Sequence, residues 1–237
     1  MTVTLVIPAH NEEEVIAYTI RSIEEELSLD YEIVVVNDNS LDNTAIIVKG
    51  LMKHYSNLRL VDNDTDKGFA NALKKGFSVS NSDLVIPVMA DLCDDPRTIR
   101  DLYVKSLEGF DIVCGSRYMQ GGTKIGGPLV QSLFSRFVGC SLKYLIGIPT
   151  SDVSNSFKCF RRNVLNAIKL KSKGFEISME VTLKAYFAGF TITEIPTVWK
   201  GRSIGKSKFY LFKVAPGYIK LYIRAILVRI GRKIWQM

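Results

Sequence analysis

Short apolar runs alternate with segments of helical spacing along the first part of the chain. After the apolar run Thr2 to Ala9, apolar residues recur at helical spacing from Asn11 to Leu27. The same strand and helix pattern repeats at 31–36 with 44–55 and at 58–61 with 69–79, and a fourth strand is predicted at 83–89. This alternation predicts an α/β fold with a mostly parallel sheet and helices on both faces.

Polar clusters follow three of these predicted strands. They are His10 to Glu13, Asn37 to Ser40, and the acidic residues Asp91, Asp94 and Asp95. Ligands of open α/β sheets bind beyond the carboxyl ends of the strands. The three clusters are therefore expected to meet at one edge of the sheet and to form a binding site there.

The pattern changes after a fifth predicted strand, Ile112 to Gly115. A glycine-rich segment, 121–128, is predicted to be a mobile loop, and 129–148 an amphipathic helix. Further elements are predicted at 156–160, 178–188 and 191–196. Because no repeat or low-complexity linker interrupts the chain, we expect one domain, 1–208, followed by a basic, aromatic appendage, 209–237.

Charge and hydropathy exclude several classes of protein. The formal net charge of +7 favours a negatively charged partner: nucleic acid, anionic lipid or a phosphorylated small molecule. No uncharged run approaches the roughly 20 residues of a transmembrane helix, and the N-terminus lacks a secretory signal pattern. The four cysteines lack CxxC spacing, which argues against a zinc site and a disulfide framework. The expected location is cytoplasmic, on the surface of a membrane.

An ordered set of short motifs resembles family 2 glycosyltransferases, and within them the dolichyl- or polyprenyl-phosphate mannosyl- and glucosyltransferases. The motifs are PAHNE at 8–12, VNDNS at 36–40, KGFANA at 67–72, MADLCDD at 89–95, GSRY at 115–118, DVSNSFK at 152–158, GFE at 174–176 and GKSK at 205–208. The resemblance runs from about residue 3 to residue 208. It implies the Rossmann-like GT-A glycosyltransferase fold and a nucleotide diphosphate sugar as donor.

The resemblance also implies which residues bind the nucleotide. Pro8, His10 and Glu12 are expected to line the base and ribose, and Asp38 to contact the base. Lys67 is expected to approach the nucleotide, and Arg202 and Lys208 to close over the diphosphate from a short basic loop. The alternatives are that Glu12 and Asp38 are residues at helix starts and that the lysines are ordinary surface charges.

The acidic cluster is the predicted cation site. Mg²⁺ takes oxygen ligands, usually one or two carboxylates together with substrate phosphates, so Asp91 and Asp94 are expected to hold Mg²⁺ or Mn²⁺. The family form is Asp-Ala-Asp-x-Gln, whereas this chain has Met89 and Cys93 at the outer positions. Alternatively, Asp94 or Asp95 caps the helix that starts near Pro96.

Two arginines are expected to bind the acceptor phosphate. Arg117 follows a strand and precedes a glycine pair, and Arg136 lies on the predicted helix 129–148. A guanidinium offers a planar fork of donors to phosphate oxygens. Arg117 and Asp91 are the predicted catalytic residues. By resemblance, Asp152 and Asn155 shape the pocket for sugar and acceptor, although a turn leading into a strand is an equal alternative for Asp152.

Basic and aromatic residues on an apolar body characterise the segment from Phe209 onward. This combination is typical of helices that lie on anionic membranes. Nucleic-acid binding is not expected, because no nucleic-acid motif accompanies the charges. Many relatives carry a membrane-spanning tail, so a membrane-spanning partner subunit is expected as a further partner.

The predicted function is inverting transfer of one hexose from a nucleotide diphosphate sugar to a polyprenyl or dolichyl phosphate. Mannose from GDP-mannose is the first expectation and glucose from UDP-glucose the second. A phosphomonoester is largely dianionic near neutral pH, so the acceptor needs positioning more than a general base. The alternatives are transfer to another glycan, a sugar nucleotidyltransferase, and a protein that binds nucleotide sugars without catalysis.

Overall fold

The computed structural model describes residues 1–202, 204 and 210–231, and the predicted site residue Lys208 lies outside these ranges. The described strands are β1 Val3–Ala9, β2 Tyr31–Asn37, β3 Leu58–Asp62, β4 Leu84–Pro87, β5 Ile112–Ser116, β6 Thr123–Ile125, β7 Lys158–Arg161, β8 Ile192–Pro196 and β9 Val198–Lys200. The described helices are α1 Ile16–Glu26, α2 Thr44–Leu51, α3 Phe69–Val79, α4 Arg97–Leu107, α5 Leu129–Ile146, α6 Arg162–Ala167, α7 Ile177–Phe187 and α8 Leu211–Arg229.

Seven strands form a mixed sheet in the order β3-β2-β1-β4-β7-β5-β8. All neighbouring strands are parallel except β7, which runs antiparallel to both β4 and β5. The predicted mostly parallel sheet is therefore confirmed. The carboxyl ends of β1, β2 and β4 lie side by side, which brings the three polar clusters to one edge.

Helices cover both faces of this sheet because side chains alternate along each strand. In β2, Ile33 and Val35 pack with α1, α2 and α4 on one face, whereas Val34 and Val36 pack with α3, α6 and α7 on the other. The strands are apolar on both sides, as expected of a sheet buried between two layers of helices.

A third apolar cluster joins α5, α7 and α8 at the side of the sheet. Its buried members include Leu142 on α5, Met179 on α7, and Tyr218 and Ala225 on α8. The hydroxyl of Tyr222 lies 3.1 Å from the Ser141 hydroxyl and joins the two long helices directly. The division into 1–208 and 209–237 stays a prediction, and its boundary lies outside the described residues.

Three sequence predictions about elements are wrong. Helix α1 begins at Ile16 rather than Asn11: Asn11 has a left-handed backbone conformation, and the N–H groups of Glu12 and Glu13 bond side chains beyond β2. The predicted mobile loop 121–128 contains β6, which pairs in parallel with β9. Helix α2 ends at Leu51, four residues before the predicted end at Tyr55.

No helix within the described ranges has the length and apolar character needed to cross a bilayer.

Candidate functional site

A cavity of about 670 Å³ opens at the carboxyl edge of the sheet. Its wall includes ten of the predicted site residues: Pro8, His10, Glu12, Asp38, Lys67, Asp91, Asp94, Arg117, Asn155 and Arg202. Helices α5, α7 and α8 complete the wall on the other side through Phe134, Val138, Ser178, Leu211 and Tyr218. One cavity therefore joins a polar sheet edge to an apolar helical wall.

The loops after β1 and β2 are hydrogen-bonded to each other. The Asn11 N–H donates to the Ser40 hydroxyl at 3.1 Å, and the Leu41 N–H donates to the Asn11 side chain at 2.8 Å. Asn11 and Asn39 both have left-handed backbone conformations, with φ of 50° and 54°. Asparagine tolerates this conformation better than most residues. The two loops thus form one rigid border of the cavity.

Asp38 is oriented by its neighbours at this border. Its carboxylate accepts hydrogen bonds from the Asn63 side chain at 2.7 Å and from the Gly68 N–H at 3.0 Å. Its backbone carbonyl lies 2.7 Å from Nδ1 of His10. These bonds fix both Asp38 and the His10 ring, while the adjacent Lys67 is exposed at the start of α3.

Arg202 bridges two carboxylates across the mouth of the cavity. Its Nη2 lies 2.9 Å from each Glu12 oxygen, and its Nε lies 3.4 Å from Oδ2 of Asp91. The side chains of Arg202 and Glu12 are only 13% and 8% exposed, which strengthens their attraction. Glu12 therefore holds Arg202 in place beside the acidic cluster.

The acidic cluster is fixed by backbone pairing with β9. The Lys200 N–H donates to the Cys93 carbonyl at 2.8 Å, and the Asp95 N–H donates to the Val198 carbonyl at 3.3 Å. Asp95 faces away from the cavity, since its carboxylate binds the backbone and side chain of Arg97 at the start of α4. Asp95 thus has the helix-start role that the sequence left open, and Asp91 and Asp94 line the cavity.

Asp94 is a buried carboxylate without a hydrogen-bond partner for either oxygen. Burial, and then the negative charge of Asp91, raise the pKa of Asp94 to about 7. An unpaired buried carboxylate beside a second one fits a cation as ligand. Within the described ranges no group of three or more His, Cys, Asp or Glu side chains is arranged for a metal, so a cation here would need ligands from substrate phosphates.

Replacing Asp94 with asparagine should change how stability depends on pH. An unfolded aspartate ionises near pH 3.9, whereas folded Asp94 keeps its proton up to about pH 7. The wild type should therefore lose stability between pH 4 and pH 8, by up to about 4 kcal/mol, and Asp94→Asn should lose less over the same range. Urea unfolding in EDTA measures both proteins, and parallel stability curves would contradict the prediction.

Arg117 lines the cavity and is paired with Asp152, which lies behind the cavity wall. Its Nε and Nη2 lie 2.6 and 2.8 Å from the two carboxylate oxygens, and its backbone N–H also donates to Asp152. Asp152 is fully buried and does not line the cavity, so its predicted place in the sugar or acceptor pocket is corrected. Asn155 lines the cavity and donates to the Gly115 carbonyl at 2.9 Å.

Arg136 lies outside the cavity wall, although it was predicted to bind the acceptor phosphate there. It is exposed on α5, between the exposed side chains of Leu133 and Phe137. The two preceding helical positions, Phe134 and Ser135, face the cavity instead. The helical rotation of about 100° per residue separates Arg136 from the cavity.

Several cavity residues were not predicted from the sequence. Lys124 on β6 and Trp199 on β9 are in the wall, with the lysine nitrogen 4.8 Å from the centre of the indole ring. Phe69 and Phe175, which belong to the motifs at 67–72 and 174–176, also line the cavity, and their rings stack with centres 4.6 Å apart. Lys124 could not be predicted from the glycine-rich sequence around it. Its position depends on the pairing of β6 with β9, which joins distant parts of the chain.

Comparison with known proteins agrees with this architecture. Residues 4–169 match the family Glycosyl transferase family 2. Glucosyl-3-phosphoglycerate synthase from Mycobacterium tuberculosis, solved with Mn²⁺, UDP and glucosyl-3-phosphoglycerate, superposes with a TM-score of 0.72 at 21% identity and covers 98% of this chain and 81% of that one. The same enzyme was also solved with Mg²⁺ and UDP. This likeness confirms the predicted GT-A fold.

Two curated relatives are similar in sequence. A dolichol-phosphate mannosyltransferase from Pyrococcus furiosus is 31% identical over 88% of this chain and 59% of its own length. A polyprenol monophosphomannose synthase from Mycolicibacterium smegmatis is 27% identical over 89% of this chain and 84% of its own length. The chain thus spans less than two thirds of the Pyrococcus relative. On the family match over most of its length, the chain belongs to glycosyl transferase family 2.

Proposed function

We propose that this glycosyltransferase moves one hexose, with inversion, from a nucleoside diphosphate sugar to the phosphate of a polyprenyl or dolichyl lipid. GDP-mannose is the first candidate donor and UDP-glucose the second, and the names of the two curated relatives favour mannose. The observation that carries the proposal is the cavity in which a charged sheet edge meets an apolar helical wall. A donor diphosphate suits the charged sheet edge, and an isoprenoid chain suits the apolar helical wall.

The sheet edge offers groups for each part of a nucleotide. In this proposal His10 and Asp38 contact the base and ribose, and Arg202 meets the diphosphate. Asp91 and Asp94 would hold Mg²⁺ or Mn²⁺, as the unpaired Asp94 carboxylate suggests. Such an ion supplies positive charge to the departing diphosphate. Arg202 adds to this charge from a position that Glu12 fixes before substrate binds.

The other half of the cavity would position the acceptor. Phe134, Val138, Leu211 and Tyr218 form an apolar surface beside Arg117. The Asp152 carboxylate holds the Arg117 guanidinium in one orientation, so its outer edge meets a phosphate without reorganisation. The acceptor phosphate is already dianionic in large part near neutral pH. Its attack on the sugar therefore requires orientation and exclusion of water more than a base.

A label-transfer assay tests the proposal directly. The protein is incubated with Mg²⁺ or Mn²⁺, a short polyprenyl phosphate, and either GDP-mannose or UDP-glucose labelled in the sugar. Label that moves into the organic phase with polyprenyl phosphate, and not with polyprenol, supports the proposal. Label that moves only to a water-soluble glycan or phosphorylated acceptor would contradict the lipid acceptor. A released sugar 1-phosphate would indicate a nucleotidyltransferase, and binding without turnover a non-catalytic protein.

The exposed faces of α5 and α8 support a membrane location for this reaction. Large apolar side chains are exposed on both helices: Leu129, Val130, Leu133, Phe137 and Tyr144 on α5, and Phe212, Ile219 and Ile223 on α8. Exposed Arg136, Lys213, Lys220 and Arg229 lie among them. Apolar and basic residues together fit an anionic bilayer surface. Contact with that surface, and with a membrane-spanning partner subunit, is part of the proposal.

Introducing charge on α5 should weaken binding to vesicles. Leu133 and Phe137 are 59% and 65% exposed, so Leu133→Glu with Phe137→Glu should leave the fold intact. Losing two apolar contacts with lipid should reduce partitioning onto phosphatidylglycerol vesicles at least about tenfold. Co-sedimentation measures the bound fraction. Ile46→Glu on α2 is the matched control, since Ile46 is also exposed on a helix, and equal losses in both proteins would contradict a docking face on α5.

A further inference from the structure

Of the two cations expected at the acceptor phosphate, Arg117 has its charge balanced by Asp152, and Arg136 lies outside the cavity wall. Arg202 is engaged by Glu12 and Asp91 at the sheet edge. A dianionic phosphate at the apolar half needs a cation whose charge is not already balanced by a carboxylate.

Lys124 provides that charge. In the described part of the chain, no carboxylate lies within salt-bridge distance of its amino group, which is half-buried in the cavity wall. Burial, and then the positive charge of Arg117, lower the pKa of Lys124 to about 8. The charge of Asp152 offsets the repulsion between Arg117 and Lys124 only in part, and a bound phosphate would relieve the rest.

The neighbourhood of Lys124 is built to present its amino group. Strand β6 is held by β9, and the Trp199 ring lies under the lysine nitrogen at 4.8 Å. Gly127 makes room for this pair, since a Cβ there would lie 3.1 Å from the Trp199 ring and 3.7 Å from Cε of Lys124. Cation–π contact orients a lysine without neutralising it.

The position of β6 favours the acceptor over the donor. Strand β6 leads through Gly127 and Pro128 directly into α5, whose first turn is in the cavity wall and whose Phe134 and Val138 form the apolar surface. The positive end of the α5 helix dipole adds to the Lys124 charge there. The groups assigned to the nucleotide follow β1 and β2 or lie beside the acidic cluster.

We propose that Lys124 binds the phosphate of the acceptor, together with Arg117, an assignment that rests on the function proposed above. Arg117 orients the phosphate, and Lys124 supplies the unbalanced positive charge that brings a dianion into the apolar half. Lys124 is thus a specificity residue for a phosphorylated acceptor, and an alcohol of the same chain length gains nothing from it.

The test is binding and turnover in Lys124→Gln, Lys124→Arg and Lys200→Gln. Lys200 is the matched control, because it is exposed on the paired strand β9 and does not line the cavity. Isothermal titration with farnesyl phosphate and with farnesol measures acceptor binding, and titration with GDP and UDP measures donor binding. Steady-state assays give the KM for each substrate.

Lys124→Gln should weaken farnesyl phosphate binding and raise its KM by about tenfold or more, as expected for loss of a charged hydrogen bond. Farnesol and nucleotide binding should not change, Lys124→Arg should recover most of the loss, and Lys200→Gln should match the wild type. Unchanged phosphate binding in Lys124→Gln would overturn the assignment while leaving the transferase intact. A loss confined to nucleotide binding would assign Lys124 to the donor. A wild type that neither binds nor glycosylates farnesyl phosphate would overturn both proposals.

Discussion

Replacing Asp152 with alanine is expected to lower the free energy of unfolding by about 3 kcal/mol or more. Asp152 is fully buried, and the Arg117 side chain is only 10% exposed. Removing the carboxylate leaves a guanidinium without its two short hydrogen bonds in a site where water reaches one edge only. Urea unfolding measures the change.

A double-mutant cycle separates this pair from other effects of the substitutions. Arg117→Ala with Asp152→Ala should cost less than the sum of the two single changes, since the double variant leaves neither charge unpaired. Glu108→Ala is the control, because the Lys105–Glu108 pair is on the surface and should contribute less than about 1 kcal/mol. Additive costs in the cycle would show that Arg117 and Asp152 do not depend on each other.

Replacing Asp91 with asparagine is expected to reduce hexose transfer by about a thousandfold with little change in the unfolding midpoint. The substitution keeps the size of the side chain and an acceptor for the Cys93 N–H, 3.2 Å away. It removes the charge that attracts Arg202 and, in our proposal, a cation. Loss of one preorganised electrostatic contact at a reacting centre typically costs a factor of about 100 to 1,000.

Asp95→Asn is the matched control for Asp91, as it removes a charge from the same acidic cluster outside the cavity. Label transfer should persist in Asp95→Asn, and Mn²⁺ titration followed by electron paramagnetic resonance should show weaker binding in Asp91→Asn alone. Equal losses of transfer in both variants would mean that the net charge of the segment matters and not the placement of Asp91. A large fall in the stability of Asp91→Asn would assign Asp91 a structural role.

The parts of the fold that the sequence predicts well depend on local patterns. Helix α3 runs over Phe69–Val79 as predicted, because its apolar spacing and the preceding glycine agree. The start of α1 could not be read in this way. The N–H groups of Glu12 and Glu13, just before the helix, bond the side chains of Thr44 and Asp42 about 30 residues away, and these contacts form only once β1 and β2 are paired.

In the candidate site, too, local patterns were predictable from the sequence and contacts between distant residues were not. The strand-end clusters meet because parallel topology requires it, and their position after predicted strands, together with the family resemblance, was enough to find His10, Asp38 and Asp91. The pairings between side chains within the site could not be predicted in this way. The Arg117–Asp152 pair joins residues 35 positions apart, and no periodicity links them. The position of Lys124 in the cavity wall could not be predicted either, because it depends on the short strand β6, which the glycine-rich sequence does not indicate.

The backbone pairing around β9 has a mechanical consequence. Strand β9 bonds β6 along one edge and residues 93–95 along the other, and it is followed directly by Gly201 and Arg202. If Arg202 moves along the direction of the strand, β9 has to move with it or these hydrogen bonds have to break. In our proposal Arg202 meets the donor diphosphate and Lys124 meets the acceptor phosphate, so this pairing would couple a movement at the donor site to a movement at the acceptor site.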